Sequence, residues 1–319
     1  KGGVGKTTLA IAAAYAAQAL GKRVLLAETE DNRAISRFFN QSELGEAPVR
    51  VSKNIRIARV HPKSELETYT HTNIKSRFLS RRITRSRLFD YLAEATPGLK
   101  EVMTLGRIWR WEAATDPNGH YVYDTVIVDA PATGHGLGLL RLPKLLIEMI
   151  RFGPVAAQIR DMQAVLTDEK ITWLCLVTQP EELSVKESMA LMDTARDDIG
   201  IPVRCMFLNG VYPTLFTSAE AEKIAAMTEQ GRAGQALRSR LSDPEGVDSV
   251  LKAAVHQSIR QSIHQGYQKQ LSDDADCPVM SIPYYFTNQL SMDEMESIAA
   301  ILQQPEKNAR DGEDAGNDR

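Results

Sequence analysis

The chain has 319 residues, 43% of them hydrophobic and 25% charged, which is enough to bury the core of one large α/β domain. Its formal net charge of −3 argues against a general nucleic-acid-binding protein, because such proteins usually carry a basic excess. It contains no run of about eighteen apolar residues, so the sequence predicts no membrane-spanning helix.

The three cysteines lie far apart, at Cys175, Cys205 and Cys277. Cys175 and Cys205 fall within apolar runs, so we expect them to be buried in strands. No CxxC pair occurs, so the sequence encodes neither a zinc clip nor a disulfide framework, and no zinc is expected. This cysteine usage favours a reducing, cytoplasmic location, and a peripheral association with a membrane stays open.

Apolar runs of strand length alternate with helical stretches along the chain. Buried parallel strands read as such near-continuous apolar runs, so the pattern predicts an α/β fold with a doubly wound, mostly parallel sheet and helices on both faces. The predicted strands are Arg23–Glu28, Ile55–Val60, Asp124–Asp129, Thr172–Thr178, Val203–Leu208 and Pro278–Ile282.

A single domain over residues 1–304 is predicted, because no linker marks a boundary, and a division into two domains stays open as the alternative. Because this domain begins with the loop KGGVGKTT, it is predicted to be a P-loop ATPase domain. Helical insertions at about 64–113 and 143–168 are too long for simple crossovers between strands. From Pro305 the sequence is polar and lacks apolar periodicity, so residues 305–319 are predicted to be a disordered tail. The remaining predicted helices are Thr8–Leu20, Glu181–Asp198 and the stretch 218–271.

The first eight residues, KGGVGKTT, form a phosphate-binding loop followed by an alanine-rich helix. Glycines let the backbone curl so that successive N–H groups face phosphate oxygens, and the helix N-terminus adds a positive dipole. Lys6 is expected to contact the β- and γ-phosphates of ATP, and the Thr7 hydroxyl to ligate Mg²⁺. The nucleotide-binding residues predicted here are Gly2, Gly3, Val4, Gly5, Lys6, Thr7 and Thr8.

The full phosphate-loop pattern, GxxxxGK[ST], has its first glycine one residue before Lys1. A strand normally precedes such a loop. We therefore expect the natural protein to continue upstream of Lys1 and to supply a further strand of the sheet from there.

The apolar run Tyr123–Asp129 ends in an acid. A strand of this kind delivers a carboxylate to the water shell of the metal in phosphate-loop proteins, so Asp129 is predicted to bind Mg²⁺ through water. The alternative is that Asp129 only caps the following turn.

Lys1, at the start of the loop, resembles the signature lysine of the deviant Walker A ATPases, which include partition, nitrogenase iron-protein and arsenical-pump ATPases. In that group the lysine reaches across a dimer interface to the partner's nucleotide. The resemblance implies that Lys1 acts in trans, like an arginine finger, and ties hydrolysis to dimer closure.

The segment from Asp129 to His135, DAPATGH, runs into GLGLLRLP. It resembles switch II of the ArsA family, which includes the arsenite-pump ATPase and the guided-entry ATPase that targets tail-anchored membrane proteins. The resemblance extends from Lys1 to about Gln303, and the insertions match least. The residues that match the switch II pattern are Asp129, Thr133, Gly134, His135, Leu137, Leu139, Leu140, Leu142 and Pro143.

The ArsA resemblance also implies a residue that orients the attacking water, an aspartate in the family's switch I. Alignment of the VLL strand places Glu30 at that position, with Asp31 beside it. Glu30 is therefore expected to position water and to support slow turnover, since its extra methylene must be accommodated. The alternative, a polar loop with weak or absent hydrolysis, stays open.

On the adenine side, Asn209 resembles the family's strand-end asparagine, whose amide offers both a donor and an acceptor to the base. The segment Ser281–Tyr285 resembles the loop that walls the base. Asn209 and Pro283 are accordingly added to the predicted nucleotide-binding residues.

The leading interpretation is an ATPase that works as a nucleotide-switched homodimer, or as a heterodimer with a related ATPase, on a client protein that could be membrane-associated. Its catalytic residues are Lys1, Lys6, Glu30 and Asp129, and no nucleic-acid partner is expected. The segment Leu145–Val165 has an apolar face that a client or ordinary helix packing explains equally well.

Two alternative functions remain. One is the motor subunit of an arsenite or anion efflux pump, against which the lack of clustered cysteines argues. The other is a partition or positioning switch, against which the TGH segment argues.

Overall fold

The computed structural model describes residues 2–29, 33–42, 44–74, 76–86, 98–228, 244–287 and 290–303, with positions 89, 96, 235–236 and 239. Lys1, Glu30, Asp31 and the predicted tail 305–319 lie outside the described residues.

Within the described ranges, six of the seven strands lie on the apolar runs that predicted them. The exception is β2, whose two residues are too few to show a periodicity. The strands are β1 (Val24–Glu28), β2 (Val49–Arg50), β3 (Ile55–Arg59), β4 (Thr125–Asp129), β5 (Leu174–Thr178), β6 (Val203–Val211) and β7 (Val279–Pro283).

The helices α1 to α5 are Lys6–Ala19, Ala34–Phe38, Pro62–Asn73, Arg77–Thr84 and Leu99–Glu112. The helices α6 to α11 are Thr133–Met149, Pro154–Thr167, Glu182–Thr194, Ser218–Thr228, Pro244–Asp274 and Met292–Leu302. A π-helical turn, Ala195–Ile199, extends α8. The segment predicted as the second insertion begins inside α6, which starts earlier, at Thr133.

The chain forms two compact units. The first comprises Lys1–Leu176, Ala190–Arg204 and Asn288–Arg319, and the second comprises Val177–Met189 and Cys205–Thr287. The prediction of one P-loop ATPase domain over residues 1–304 stays a prediction.

In the first unit a four-stranded sheet has the order β2-β3-β1-β4. Strand β1 pairs in parallel with β3 and with β4, and all five of its residues are buried. Helices cover both faces of this sheet. A strand with neighbours on both edges and both faces is shielded from water, which accounts for the near-continuous apolar run of β1. On one face Leu25 and Ala27 pack with Trp111 of α5.

Helix α1, which follows the glycine loop, packs on the strands and on α11. The Gln303 side-chain amide donates to the carbonyl oxygen of Ala16 at 3.0 Å, and the Tyr15 hydroxyl contacts the Met292 sulfur at 3.4 Å. These contacts hold the helix at whose N-terminus the loop lies.

The second unit contains β7 and most of β6, which run parallel in a sheet of the order β5-β6-β7. Its long helix α10 packs on α9 and on β7. The mostly parallel sheets and flanking helices confirm the predicted fold class.

The expectation of a buried Cys175 is wrong, because this side chain is exposed. Exposure along β5 alternates, and Leu176 and Thr178 are buried on one face while Cys175 points to the less covered face. Among the described helices none is long and apolar enough to cross a membrane.

Candidate functional site

The glycine loop turns into α1 through two residues in the left-handed region of backbone space. Gly3 has φ 79° and Gly5 has φ 97°, and Gly5 directly precedes Lys6, the first residue of the helix. A side chain is rarely accommodated at such φ values, so glycine is required there. The buried Val4 side chain anchors the loop between them. This geometry exposes backbone N–H groups at a helix N-terminus, which is an arrangement that binds anions.

A cavity of about 270 Å³ opens in front of this loop. A Cβ atom built on Gly2 or Gly3 would meet nothing within 4 Å, so the space before the loop is open. The cavity is lined by Gly2, Gly3, Gly5, Lys6, Thr7, Asp129, Ala130 and Ala132. The loop and the end of β4 therefore share one recess, as the sequence predicted from residues far apart in the chain.

The Thr7 hydroxyl donates to a carboxylate oxygen of Asp129 at 2.7 Å. Asp129 is the last residue of β4 and is only 6% exposed. Its backbone carbonyl accepts the Thr29 hydroxyl at 2.6 Å, which ties the end of β4 to the residue after β1. Asp129 thus faces the phosphate loop instead of merely capping a turn.

These groups suit Mg²⁺ and phosphate. A hydroxyl that donates its proton to a carboxylate keeps its lone pairs for a cation, and oxygen ligands are those that Mg²⁺ prefers. The glycine loop leaves room for phosphate oxygens where a side chain would fill the cradle. Beyond this pair, no group of three or more His, Cys, Asp or Glu side chains that could hold a metal occurs in the described part of the chain.

A buried ion pair at the ends of β1 and β3 was not predicted from the sequence. The Arg59 guanidinium donates to one Glu28 carboxylate oxygen from Nε at 2.9 Å and from Nη2 at 2.6 Å. The other Glu28 oxygen accepts the backbone N–H of Ile35 at 3.2 Å, and Arg59 also donates to the Ser36 hydroxyl at 3.3 Å. The pair therefore fixes the start of α2.

This network flanks the segment that carries Glu30. Thr29 is held on the Asp129 carbonyl, and Ile35 is held on Glu28, so both ends of the segment are fixed. The sequence held only a partial signal for the pair, an acid and a base near the ends of two predicted strands, and the pairing itself follows from the register. Glu28 and Arg59 end two neighbouring parallel strands and are direct partners in the register of β1 and β3.

Two predicted catalytic residues cannot be placed, because Lys1 and Glu30 lie outside the described residues. Lys6, Thr7 and Asp129 are brought together in the first unit. The predicted roles of all these residues remain predictions.

In the second unit, Asn209 and Pro283 lie near the carboxyl ends of neighbouring strands. Asn209 is the register partner of Ile282, and Val211 is the partner of Pro283, with an irregularity at Gly210 between them. The backbone N–H of Tyr284 donates to the Val211 carbonyl at 2.8 Å. The structure thus brings together the two residues expected on the adenine side.

An aromatic cluster that was not predicted follows these strand ends. Tyr212 stacks on His264 with ring centroids 4.8 Å apart, and Tyr284 and Phe286 pack against Tyr212 at 5.0 and 5.7 Å. Arg260 donates to the Tyr212 hydroxyl at 2.9 Å. Tyr284 and Phe286 are 45% and 70% exposed, so the cluster presents an aromatic surface. The sequence signal was the run PYYF, which holds two of its members.

His264 holds this cluster through its ring nitrogen. Its Nδ1 accepts the backbone N–H of Tyr212 at 3.0 Å, which requires an unprotonated Nδ1. Burial, together with the positive charge of Arg260, lowers the pKa of His264 below its ordinary value. The neutral imidazole is therefore the form that fits the folded second unit.

The sequence profile of the ArsA ATPase family, described as anion-transporting ATPase, matches residues 1–154 and 146–236. Among known proteins, ATPase BagA of Mycobacterium tuberculosis is 27% identical over 230 residues, which cover 70% of this chain and 67% of BagA.

Two further relatives widen the comparison. A Chlorobaculum tepidum protein that carries the name arsenical pump-driving ATPase is 25% identical over 262 residues, which cover 70% of this chain and 62% of that protein. The ATPase ASNA1 homolog 1 of Paramecium tetraurelia is 28% identical over 148 residues, which cover 46% of this chain and 42% of the relative. Because the family profile spans more than half of the sequence, the chain belongs to the ArsA family of ATPases, as its switch II segment indicated.

Proposed function

We propose that this protein binds and hydrolyses ATP as a nucleotide-switched dimer and uses the cycle to act on a partner protein. The observation that carries the proposal is the 2.7 Å contact between Thr7 and Asp129 in a glycine-walled cavity of about 270 Å³. This contact joins the phosphate loop to the strand end that delivers the acid, which is what metal-assisted phosphoryl transfer requires.

Within the site each residue has a distinct task. The loop N–H groups and Lys6 bind and orient the phosphates, and the Thr7 hydroxyl, fixed by its bond to Asp129, would hold Mg²⁺ directly. Asp129 would hold the ion through water. When bound, Mg²⁺ supplies neutralisation of the negative charge that develops on the transferred phosphoryl group.

Glu30 and Lys1 complete the proposed mechanism. Glu30 accepts a hydrogen bond from the attacking water. Thr29 and Ile35, which lie on either side of it in the chain, are held by the Asp129 carbonyl and by Glu28. Lys1 is supplied from the partner subunit, so that hydrolysis requires a closed dimer. Asn209 and Pro283 take the adenine base.

A partner protein is supported by apolar side chains around the turn between α6 and α7. Met149 and Phe152 are 79% and 88% exposed, and Leu145 and Val155 are exposed beside them. Exposed apolar side chains grouped in this way commonly mark a protein interaction site. We propose that this turn contacts the client.

Substitution of the phosphate-loop lysine tests the proposal. Lys6→Ala removes a charge that stabilises the transferred phosphoryl group, so Mg²⁺-dependent release of phosphate from ATP should fall by at least ~100-fold. Lys22→Ala, which removes an exposed lysine just beyond α1, is the matched control and should leave turnover unchanged. Wild-type turnover in the Lys6→Ala protein would refute the proposed site.

A pump motor is the second candidate, because the Chlorobaculum relative carries an arsenical-pump name. Stimulation of ATP hydrolysis by arsenite or antimonite would favour it. We expect none, because Cys175, Cys205 and Cys277 belong to no group of three or more His, Cys, Asp or Glu side chains in the described ranges.

A further inference from the structure

A second recess, of about 340 Å³, lies at the opposite ends of the strands from the phosphate loop. It opens where β1 and β3 begin, at Val24 and Asn54, whereas the phosphate loop faces Asp129 at the end of β4. Four basic side chains converge on it, from Arg23, Arg50, Lys53 and Arg56. None of these residues belongs to the proposed ATP site.

Three of the four cations come from one hairpin. The segment Val49–Arg56 contains no carboxylate, and Arg50 and Arg56 are direct partners in the antiparallel pair of β2 and β3. Directly opposed side chains lie on the same face of a sheet, and like charges in that position destabilise it. The fold therefore carries an electrostatic cost at this recess, which a bound anion would offset.

The four cations differ in the ion pairs and hydrogen bonds that they already make within the chain. Arg23 is neutralised by Asp124, which its guanidinium contacts at 2.7 and 3.0 Å, and these hydrogen bonds hold the pKa of Asp124 well below its usual range. Arg50 donates to the carbonyl oxygens of Ser52 and Lys53, which fixes its guanidinium without neutralising it.

The side chains of Lys53 and Arg56 have no hydrogen-bond or ion-pair partner among the residues that the structure describes. One further carboxylate, Asp116, lines the recess. Four cations against the carboxylates of Asp116 and Asp124 leave a net charge of two positive units at the recess. Such a site favours an anion with more than one negative charge.

We propose that this recess binds a small phosphate-bearing anion, which Arg56 and Lys53 contact directly. The Arg50 guanidinium, fixed by its hydrogen bonds to backbone carbonyls, lies beside them and adds positive charge. Guanidinium groups pair with phosphate oxygens in a fork geometry, which suits phosphate better than a single carboxylate. The half-buried side chains of Val122 and Tyr123 line the recess beside the cations and could pack against an organic group attached to the phosphate.

Calorimetric titration of the full chain with inorganic pyrophosphate tests this site. The Lys6→Ala protein serves as the background, because it weakens phosphate binding at the glycine loop, and binding that remains and depends on Arg56 is then assigned to the recess. We expect saturable binding of one pyrophosphate per chain at low ionic strength. A parallel titration compares phenyl phosphate with inorganic phosphate, and the organic ester should bind more tightly because its ring can pack against Val122 and Tyr123.

In the same background Arg56→Gln and Lys53→Gln should each weaken binding by about tenfold or more, the effect of losing one charge-assisted hydrogen bond. The matched control is Arg82→Gln, which removes an exposed arginine of α4 and the same charge, and should leave affinity unchanged. Binding that is absent, that survives Arg56→Gln, or that weakens equally in Arg82→Gln would overturn the proposal.

A second measurement needs no anion. Because Arg56 opposes Arg50, Arg56→Gln should raise the melting temperature at low ionic strength, and added salt should remove the difference. A lower melting temperature in the variant would show that Arg56 supports the fold itself, and would also overturn the assignment.

Discussion

The hydroxyl of Thr7 joins the phosphate loop to the end of β4. Its donation to Asp129 over 2.7 Å links residues 122 positions apart and leaves the oxygen lone pairs available to a metal. We therefore expect substitutions of Thr7 to lower ATP hydrolysis when they remove the hydroxyl oxygen, whether or not they keep the side-chain volume.

Thr7→Val, which keeps the shape and removes the hydroxyl, should therefore lower Mg²⁺-dependent ATP hydrolysis by about 10- to 100-fold, as for other losses around a metal. Thr7→Ser keeps the hydroxyl and should retain most of the activity. The comparison is made by phosphate release over a range of Mg²⁺ concentrations. Equal rates in the valine and serine variants would contradict a metal-binding role for Thr7.

Glu28 and Arg59 form a buried ion pair, so removal of one partner would leave the charge of the other unpaired. Their side chains are only 1% and 8% exposed, so neither charge can be satisfied by water. Glu28→Leu leaves a buried guanidinium without its carboxylate and should reduce the free energy of unfolding by about 3–5 kcal/mol.

Urea denaturation measures this change. The double variant Glu28→Leu/Arg59→Met should recover much of the loss, because no unpaired charge remains. The exposed pair Glu182–Lys186 is the control, and Glu182→Gln should leave the unfolding midpoint nearly unchanged. A Glu28→Leu protein as stable as the wild type would show that the pair does not fix this part of the fold.

At the scale of elements, α10 is joined to the end of β6 by His264. The histidine accepts a backbone N–H through Nδ1, and burial lowers its pKa in the folded state. Below its unfolded pKa of about 6.5 the unfolded chain takes up a proton more readily than the folded one, so folding loses stability there.

The wild-type protein should therefore lose stability as the pH falls below about 6.5, down to the depressed folded pKa, and should keep it above 6.5. His264→Gln removes this titration and should lose less stability between pH 7.5 and pH 5.5. Melting temperatures of the two proteins across this range provide the test. An identical pH dependence would show that His264 is not linked to the stability of the second unit.

The elements also show which features a sequence can predict. The buried strands could be predicted because short continuous apolar runs such as Val24–Ala27 are typical of parallel strands that are covered on both faces. Strand β2, with two residues, and helix α2, with five, are too short to have a period. Cys175 was misplaced because an apolar run does not reveal which face of its strand is covered.

Within the site the same limit applies. The glycine loop and Asp129 could be predicted, because each carries its role in a local pattern. Their 2.7 Å contact, the Glu28–Arg59 pair and the stacking of Tyr212 on His264 depend on strand order and helix packing, which join residues distant in sequence. Such contacts appear only once the tertiary structure is known.

At the scale of the whole molecule, each of the two units holds residues that the sequence predicted to bind nucleotide. The first holds the phosphate loop, Thr7 and Asp129, and the second holds Asn209, Pro283 and the aromatic cluster. The proposed function requires more than one chain, because Lys1 is expected to act on the nucleotide of the partner subunit. The proposed mechanism therefore requires an assembled dimer for ATP hydrolysis.

Complementation between two inactive variants tests that claim. In a mixed dimer of Lys1→Ala and Asp129→Asn subunits, the nucleotide on the first subunit has an intact Asp129 and receives Lys1 from the second. Each variant alone should hydrolyse ATP poorly, and an equal mixture should recover about a quarter of wild-type turnover, since half of the dimers are mixed and each has one complete site. If the turnover of the mixture equals the mean of the two variants measured separately, no catalytic group is supplied in trans, and the nucleotide-switched dimer is contradicted.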